Sequence, residues 1–537
     1  MEPVDRQTTV APLERQRLLA RLLSVTAIPI LVAVAYARTL PAPFFFDDTS
    51  TILLNPTIQN LRPLRLVFVG TRPILNFSYA LTYQLSGRSP AGHRLANIVL
   101  HVLNALLVYA WLRLALRLPR CARQDGFGHV IALAVALLFA VHPLQTESVT
   151  YISGRAEVLA GFFILTGMVL LALALQPSAT PRRAAALRAG AVAAAVGGVL
   201  SKESAAVLPV LLLLFETLAG GRLRCVLRAH WLMYASLAVT WLIPAAFLWR
   251  HPEYAETAGF SFGAQPYGIA PLDYLYTQAG VIVHYLRLSL LPVSQVFDYD
   301  WPLARSPLSP AVWAPALMLV ALASLVPLLW RRAPLYAFAI LWFFVTLAPT
   351  SSIVPIADVI AERRMYVPLV GLLTAIVLLV ADGVRSAGSS RRALVSAAGL
   401  TALTSLVALT YARNAVWSDP LALWRDTVLK APGNPRAHTN LGIRYLQRGE
   451  VQAARTEFER AIELVEEGRS PQALPRHAAF AAAHLALVHL QLGNREAARE
   501  AYTAALEFGA AAYPELSQPL QQARTALERA APSEEEP

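Results

Sequence analysis

Long apolar stretches broken by short polar clusters fill the chain from about residue 22 to residue 411. A helix needs roughly 20 apolar residues to cross the hydrocarbon core of a bilayer. Twelve stretches approach that length, near 22–38, 95–112, 129–146, 155–175, 185–200, 203–219, 231–249, 273–291, 312–330, 335–350, 366–382 and 393–411. Beyond Tyr411 such runs stop. Residues 1–411 carry 32 basic and 18 acidic side chains, 50 in 411, whereas residues 412–537 carry 14 and 16, 30 in 126. The pattern predicts an all-α protein: a short segment 1–21, a polytopic membrane domain over 22–411, and a soluble helical domain over 412–537.

Arginine placement orients the segments, because basic residues collect on the cytoplasmic side. Arg6, Arg15, Arg17 and Arg21 put the 1–21 segment in the cytoplasm. Alternation then gathers Arg113, Arg117, Arg120 and Arg123 inside, followed by Arg182, Arg183 and Arg188, then Arg222, Arg224 and Arg228. Arg331, Arg332, Arg385, Arg391 and Arg392 fit the same side only if one segment fails to cross. The segment 273–291, with Asp273, His284, Arg287 and a Leu-Leu-Pro end, is the one expected to be re-entrant or interfacial. About 11 transmembrane helices remain, and 412–537 falls outside the cytoplasm. Ala35-Tyr36-Ala37 has the form of a signal-peptidase site. With so much membrane following, the first segment is expected to be a retained anchor.

The tail has its own period. Leu441-Gly442, Tyr445, Gly449, Ala454, Phe458 and Ala461 read as one tetratricopeptide repeat over 434–467. Gly493, Ala498, Tyr502 and Ala505 repeat it 44 residues on, with the extra length assigned to Gly468-Arg469-Ser470-Pro471. A closing helix over 515–530 and a loose acidic end, Ser533–Pro537, complete a short α-solenoid. Such arrays bind peptides or proteins, so a protein partner is expected.

Composition narrows the classes. The chain is 56% hydrophobic and 15% charged with a mean hydropathy of +0.48, against about 25% charged in soluble domains. A soluble enzyme, a disordered chain and a disulfide scaffold are excluded. The net charge of +12 belongs to the loops between apolar segments, so no nucleic-acid partner is expected. Cys121 and Cys225 both fall in loops assigned to the cytoplasm, where a disulfide is not expected.

Acids are scarce before residue 412, so each is informative. The long first outer loop, 38–94, opens with Phe44-Phe45-Phe46-Asp47-Asp48. Adjacent carboxylates behind three aromatics suit a general base whose pKa is raised by desolvation. The alternative is that Asp48 merely caps the turn that follows. Further polar clusters fall on the same side: Arg72, His142 with Glu147, Arg155 with Glu157, Lys202 with Glu203, Asp298-Tyr299-Asp300, and Glu362-Arg363-Arg364 with Tyr366. A polar face above an apolar body is what a lipid-phosphate-linked substrate needs. No Gly-rich phosphate loop is present, and no third carboxylate accompanies Asp47 and Asp48 at ligand spacing, so no cofactor or divalent metal is expected.

Phe46-Asp47-Asp48, Arg72-Pro73, His142-Pro143 with Glu147, Gly154-Arg155-Ala156-Glu157, Ser201-Lys202-Glu203 and Glu362-Arg363-Arg364-Met365-Tyr366 together resemble the transmembrane and tetratricopeptide-repeat O-mannosyltransferase family. Trp417-Ser418-Asp419, Leu423-Trp424 and Asn434-Pro435-Arg436-Ala437-His438 are similar to its membrane-to-repeat junction. The resemblance implies a GT-C glycosyltransferase, moving a sugar (mannose in eukaryotic members) from a polyprenyl phosphate to Ser or Thr hydroxyls of an acceptor protein, with inversion. It implies that one carboxylate of the pair Asp47 and Asp48 is the base, with Asp47 slightly favoured and Asp48 then orienting, and it implies Arg72, Arg155, Lys202, Arg363 and Arg364 for the donor phosphate. His142, Glu147, Glu157, Glu203, Glu362 and Tyr366 would support them. Of the 46 basic residues, 44 are Arg, which suggests a bacterial inner-membrane relative with a periplasmic tail. Two other readings keep the same layout: a GT-C transferase acting on a glycan or lipid, and a non-catalytic scaffold or transporter.

Overall fold

Proline sets where many of the helices begin. It opens the helices starting at residues 73, 90, 181, 271, 310, 334, 368, 420, 435 and 475. Its missing N–H is one the first turn cannot use, and its fixed φ already suits a helix. The computed structural model describes residues 23–62, 68, 70, 72–121, 127–250, 269–385, 387–468 and 470–529, all of them helix, turn or loop. The 1–21 segment with its arginines, Arg123, Arg469 and the acidic Ser533–Pro537 end lie outside the described residues.

Every predicted apolar stretch contains a helix. By length and composition, five described helices could cross a membrane: Pro90–Ala115, Ile152–Ala174, Pro310–Arg332, Pro368–Arg385 and Ser389–Trp417. The number rises to seven if Gly128–Ala140 with Pro143–Thr150, bent by 53°, and Glu203–Leu218 with Leu223–Ala229, bent by 113°, are each one span. The expectation of about 11 counted shorter or less apolar helices, including Pro181–Val199, Trp231–Val239 and Pro334–Leu347. Pro271–Leu290, expected to be re-entrant or interfacial, is one unbroken helix. Its polar face is bonded along its whole length: Tyr274 to Thr350 O (2.8 Å), Gln278 to Val359 O (3.0 Å), Tyr285 to Ala361 O (2.9 Å), and Ser289 O from His142 (3.1 Å).

The core lies where the helices 90–115, 208–218, 334–347 and 368–385 meet. Trp111 stacks on Trp342 with ring centroids 5.0 Å apart, and Phe215 and Phe338 close around them. Outward, Pro310–Arg332 exposes Leu317, Val320 and Leu328, and Ser389–Trp417 exposes Leu394 and Leu400. Such an apolar exterior is what a bilayer covers, as in a multi-pass membrane protein.

The last of these helices runs through the expected boundary at Tyr411 and ends at Trp417. Its final turns are held by the ends of the helices 27–36, 128–140 and 146–150. Thr410 donates to Val141 O (2.6 Å), and Asn414 donates to Ala35 O (2.9 Å) while accepting from Thr150 (2.7 Å). Beyond it, Pro435–Gln447 packs on Val451–Glu467 and Pro475–Gln491 packs on Arg495–Glu507, closed by Ser517–Arg529. Gly442 lies against the Phe458 ring, and Ala454, Phe458, Ala461, Ala498 and Ala505 are buried, as the predicted hairpin pattern requires.

Gly371 lets two core helices touch. A Cβ there would sit 2.5 Å from Ala339 O and 2.9 Å from the Trp342 ring. Gly371→Ala should therefore cost about 1–3 kcal/mol by overpacking, outweighing the ~1 kcal/mol of helix propensity gained. Thermal inactivation in detergent should show a lower midpoint for the variant; an unchanged or raised midpoint would mean the two helices part freely.

Candidate active site

Three consecutive aromatics clamp the acidic loop. Phe44 meets His93 edge-on, Phe45 stacks on Tyr151 and Trp417, and Phe46 meets Phe297 and Trp424. Arg94, wholly buried, donates to Ala42 O and Pro43 O and to Thr150 O at 3.1 Å. Phe46 has a φ of +52°, a left-handed backbone that a bulky residue adopts only when its surroundings impose it. That turn separates the two acids that follow. Asp48 goes inward and is fully buried, whereas Asp47 stays exposed.

Asp48 does not cap the turn it begins. Its carboxylate crosses to the 151–155 bend and accepts from Ser153 N (2.9 Å) and Ser153 Oγ (2.7 Å). Burial pushes its carboxyl up from 3.8 to about 7, opposed by those hydrogen bonds and by Arg94. Asp47 donates its backbone N–H to Tyr151 Oη at 3.1 Å. The chain crowds around Asp47 although it reaches solvent. Desolvation raises its pKa, opposed by the Tyr151 hydroxyl, Arg363 and Arg436 and reinforced by Asp358.

A run of alternating charges lies beside Asp47. Glu147 accepts from the Arg363 backbone N–H (2.9 Å) and its guanidinium, and Arg363 donates to Asp358 Oδ2 (3.0 Å). Asp358 Oδ1 accepts from Arg436 (2.9 Å), which also forks onto Asp298 at 2.7 and 2.5 Å. The two arginines hold the Asp358 carboxyl well below the usual range despite its burial.

A second group holds two more candidates. Arg72 forks onto Glu203 at 3.1 and 2.9 Å, both about a third exposed. Lys202 pairs with Glu157. Glu203 and Glu157 thus pair with cations brought from other segments of the chain. Arg72 feels Glu157 as well as Glu203, and Lys202 feels Arg363.

The remaining candidates are scaffold. Arg155 is buried and spends its guanidinium on Asn97 (2.7 Å), Ser78 O (3.0 Å), Thr82 (2.9 Å) and His93 O (2.8 Å), leaving no open face for a phosphate. Arg364 braces its own turn through the carbonyls of Asp358, Val359 and Thr350. It borders a cavity of about 20 Å³ with Glu157 and Ser204, room for about one water. Glu362 is buried and accepts from Gln295 (2.5 Å), Val296 N (2.8 Å) and Tyr299 (2.7 Å). Tyr366 binds His101 and Asn104, both at 2.8 Å. His142 accepts from Leu144 N at 3.2 Å, capping the turn that follows it.

Sequence reasoning missed Asp358, Tyr151, Ser153, Arg94 and Arg436 as participants. Arg436 had only a junction motif to mark it, and Asp358 only its position ahead of Glu362-Arg363-Arg364. Among the described residues, no three His, Cys, Asp or Glu side chains converge in a metal-binding group.

The chain is thus a helical protein with several membrane-length helices and a charged cluster gathered from its loops and its C-terminal hairpins. It is similar to the protein O-mannosyl-transferase F38B6.6 of Caenorhabditis elegans, 25% identical over 82% of this chain and 62% of that protein. It is also similar to the protein O-mannosyl-transferase Tmtc3 of Drosophila melanogaster, 24% identical over 86% of this chain and 57% of that one. The human protein O-mannosyl-transferase TMTC4 shares 24% identity over 78% of this chain and 63% of its own length. No family model and no solved structure matches. The chain is a relative of the transmembrane and tetratricopeptide-repeat O-mannosyltransferase family, and it spans about three fifths of the length of these members.

Asp48 gives a pH signature. A carboxyl whose folded pKa is raised binds its proton more tightly in the native state. Its stabilising contribution is present at acid pH and is lost as pH rises from about 4 through about 7. Asp48→Asn should remove that component, so its melting temperature should fall less than wild type between pH 4 and 7. Parallel profiles for the two proteins would show that Asp48 carries no raised pKa.

Proposed function

We propose that this chain is a membrane glycosyltransferase of GT-C type that moves a sugar, mannose by analogy with the relatives' names, from a polyprenyl phosphate to Ser or Thr hydroxyls of a protein. The observation that carries the reading is the exposed Asp47 carboxylate, flanked by Arg363 and Arg436 at the polar end of an apolar helical bundle. Asp47 takes the acceptor hydroxyl proton as the oxygen attacks the anomeric carbon from the face opposite the phosphate. The carbon–oxygen bond to the phosphate breaks, and the configuration inverts. A raised pKa makes Asp47 the stronger base, while the adjacent arginines keep enough of it ionised. Asp48 acts on the backbone, fixing the loop through Ser153.

The leaving lipid phosphate develops charge that cations must stabilise. Arg72, Lys202 and Arg363 remain the candidates, since Arg155 and Arg364 are committed to the scaffold. A monophosphate can be neutralised by these groups, so the reading invokes no metal. The C-terminal hairpins are tetratricopeptide repeats that hold the acceptor protein, and the polar face with the repeats lies outside the cytoplasm, on the periplasmic side of a bacterial inner membrane. The bundle crosses about 11 times, with the N-terminus cytoplasmic.

Three measurements test this reading. Purified protein given polyprenyl-phosphate mannose and a Ser/Thr-rich peptide should mannosylate the peptide, and Asp47→Asn should lower the rate about 10²–10⁴-fold. Transfer by Asp47→Asn at the wild-type rate would remove Asp47 as base. Lys202→Ala should lose more activity than Lys202→Arg, whereas equal and full activity in both would leave Lys202 as an interface anchor. A periplasm-active reporter fused at Ala412 and a cytoplasm-active one at Arg331 should both give signal; a reporter at Ala412 active only in the cytoplasm would overturn the orientation.

A further inference from the structure

The C-terminal hairpins do more than follow the membrane domain. Arg436, in the first turn of Pro435–Gln447, leaves its own domain and enters the charged cluster. Its side chain is 14% exposed and forks onto Asp298 while reaching Asp358 Oδ1 at 2.9 Å. Its guanidinium carbon also lies 5.7 Å from the centre of the Phe46 ring, the residue whose left-handed backbone turns Asp47 outward. Neighbouring contacts fix the same surface. Asn434 donates to Asp298 O (3.2 Å), Lys430 to Gln295 O (2.9 Å), and Ser470, in the segment between the hairpins, to Asp300 (2.5 Å).

We infer that Arg436 is a positioning residue for Asp47, so that the helical array forms one side of the reaction site and is not solely a docking module. The inference rests on Asp47 being the base. Arg436 acts in two ways. It packs on Phe46 and so holds the strained turn, and it joins Asp298 to Asp358, the acid that also holds Arg363. Charged or titratable groups facing Asp47 are Tyr151, Arg363, Asp358 and Arg436, with Asp48 next in the chain. Removing Arg436 deletes one cation and leaves Asp358 and Asp298 short of a partner. Loss of the Arg436 charge, which draws the Asp47 carboxyl down, raises the proton affinity of Asp47.

A base must be deprotonated to act. Removing Arg436 should therefore move the acid limb of the pH–rate profile to higher pH. The test measures mannose transfer from polyprenyl-phosphate mannose to a Ser/Thr-rich peptide across pH 5–9. The proteins compared are wild type, Arg436→Gln, Arg436→Lys, Ser470→Ala and Asp47→Asn, each checked by limited proteolysis for a docked array. Arg436→Gln should shift the acid limb up by about half a unit or more and lower the plateau at least tenfold. Arg436→Lys, which keeps the charge, should restore the limb and regain only part of the plateau. Ser470→Ala loosens the same docking surface without touching the charge, and it should keep the wild-type limb.

A wild-type profile in Arg436→Gln, with Asp47→Asn inactive, would overturn the inference and leave the base intact. A shift of the same size in Ser470→Ala would overturn it too, since docking alone would then set the limb. So would loss of array docking in Arg436→Gln with a wild-type limb in the residual activity. Full activity in Asp47→Asn, or no transfer by wild type, would instead overturn the reading on which the inference rests.

Discussion

Buried charge must be paired, and the outer face of this protein is organised by that requirement. The run Glu147–Arg363–Asp358–Arg436–Asp298 draws on the 146–150 helix, the 358–365 turn, the 295–300 loop and the first C-terminal hairpin. Each cation spans two acids, so removing Arg363 strips buried Glu147 of its cation and removing Arg436 strips buried Asp298 of its own, a loss that typically costs about 3–5 kcal/mol. An ion-pair network of this sort adds little net stability compared with an apolar core. Its value lies in specifying one arrangement of four distant pieces of chain.

That arrangement gives two neighbouring carboxylates different surroundings. Asp48 is sealed among Ser153, the Phe45 backbone and Arg94, so its oxygens are already occupied. Asp47 is turned to the surface by Phe46, with its backbone held by Tyr151. Desolvation raises both, but only Asp47 reaches solvent. From sequence, a helix cap stood as the alternative to a catalytic pair. The geometry replaces the cap with a cross-link to the 151–155 bend.

The helices were legible because their signals are local. Apolar runs, opening prolines and the Gly442–Phe458 type of small-to-aromatic contact all act within a few residues of themselves. The end of the last apolar helix was misplaced by six residues for the opposite reason. Arg413, Asn414 and Trp417 read as the start of a polar domain, yet all three are buried, Asn414 bonded to Ala35 and Thr150 and Trp417 packed on Phe45 and Tyr151, more than two hundred residues away. The site shows the same division. Glu157 pairs with Lys202 and Glu203 with Arg72, not with the cations beside them in the sequence, and Arg155 reads as a free cation yet is consumed by Asn97, Ser78, Thr82 and His93. Nothing in its neighbouring sequence distinguishes those two states, because its partners come from two other helices.

The cations proposed for a donor phosphate are not bare. Arg72 and Lys202 each face a glutamate across a half-open or nearly closed gap. An anionic headgroup arriving there would have to share or displace Glu203 or Glu157, which weakens its binding but keeps the empty site near neutrality. Arg72 is the easier of the two to recruit, because its pair with Glu203 is about a third exposed and already partly screened by water. Lys202 and Glu157 are far less exposed, so their separation carries the larger desolvation cost. A ligand that engaged Arg72 first would bring its charge close to Lys202 before that pair had to open, and the two cations would then act in sequence.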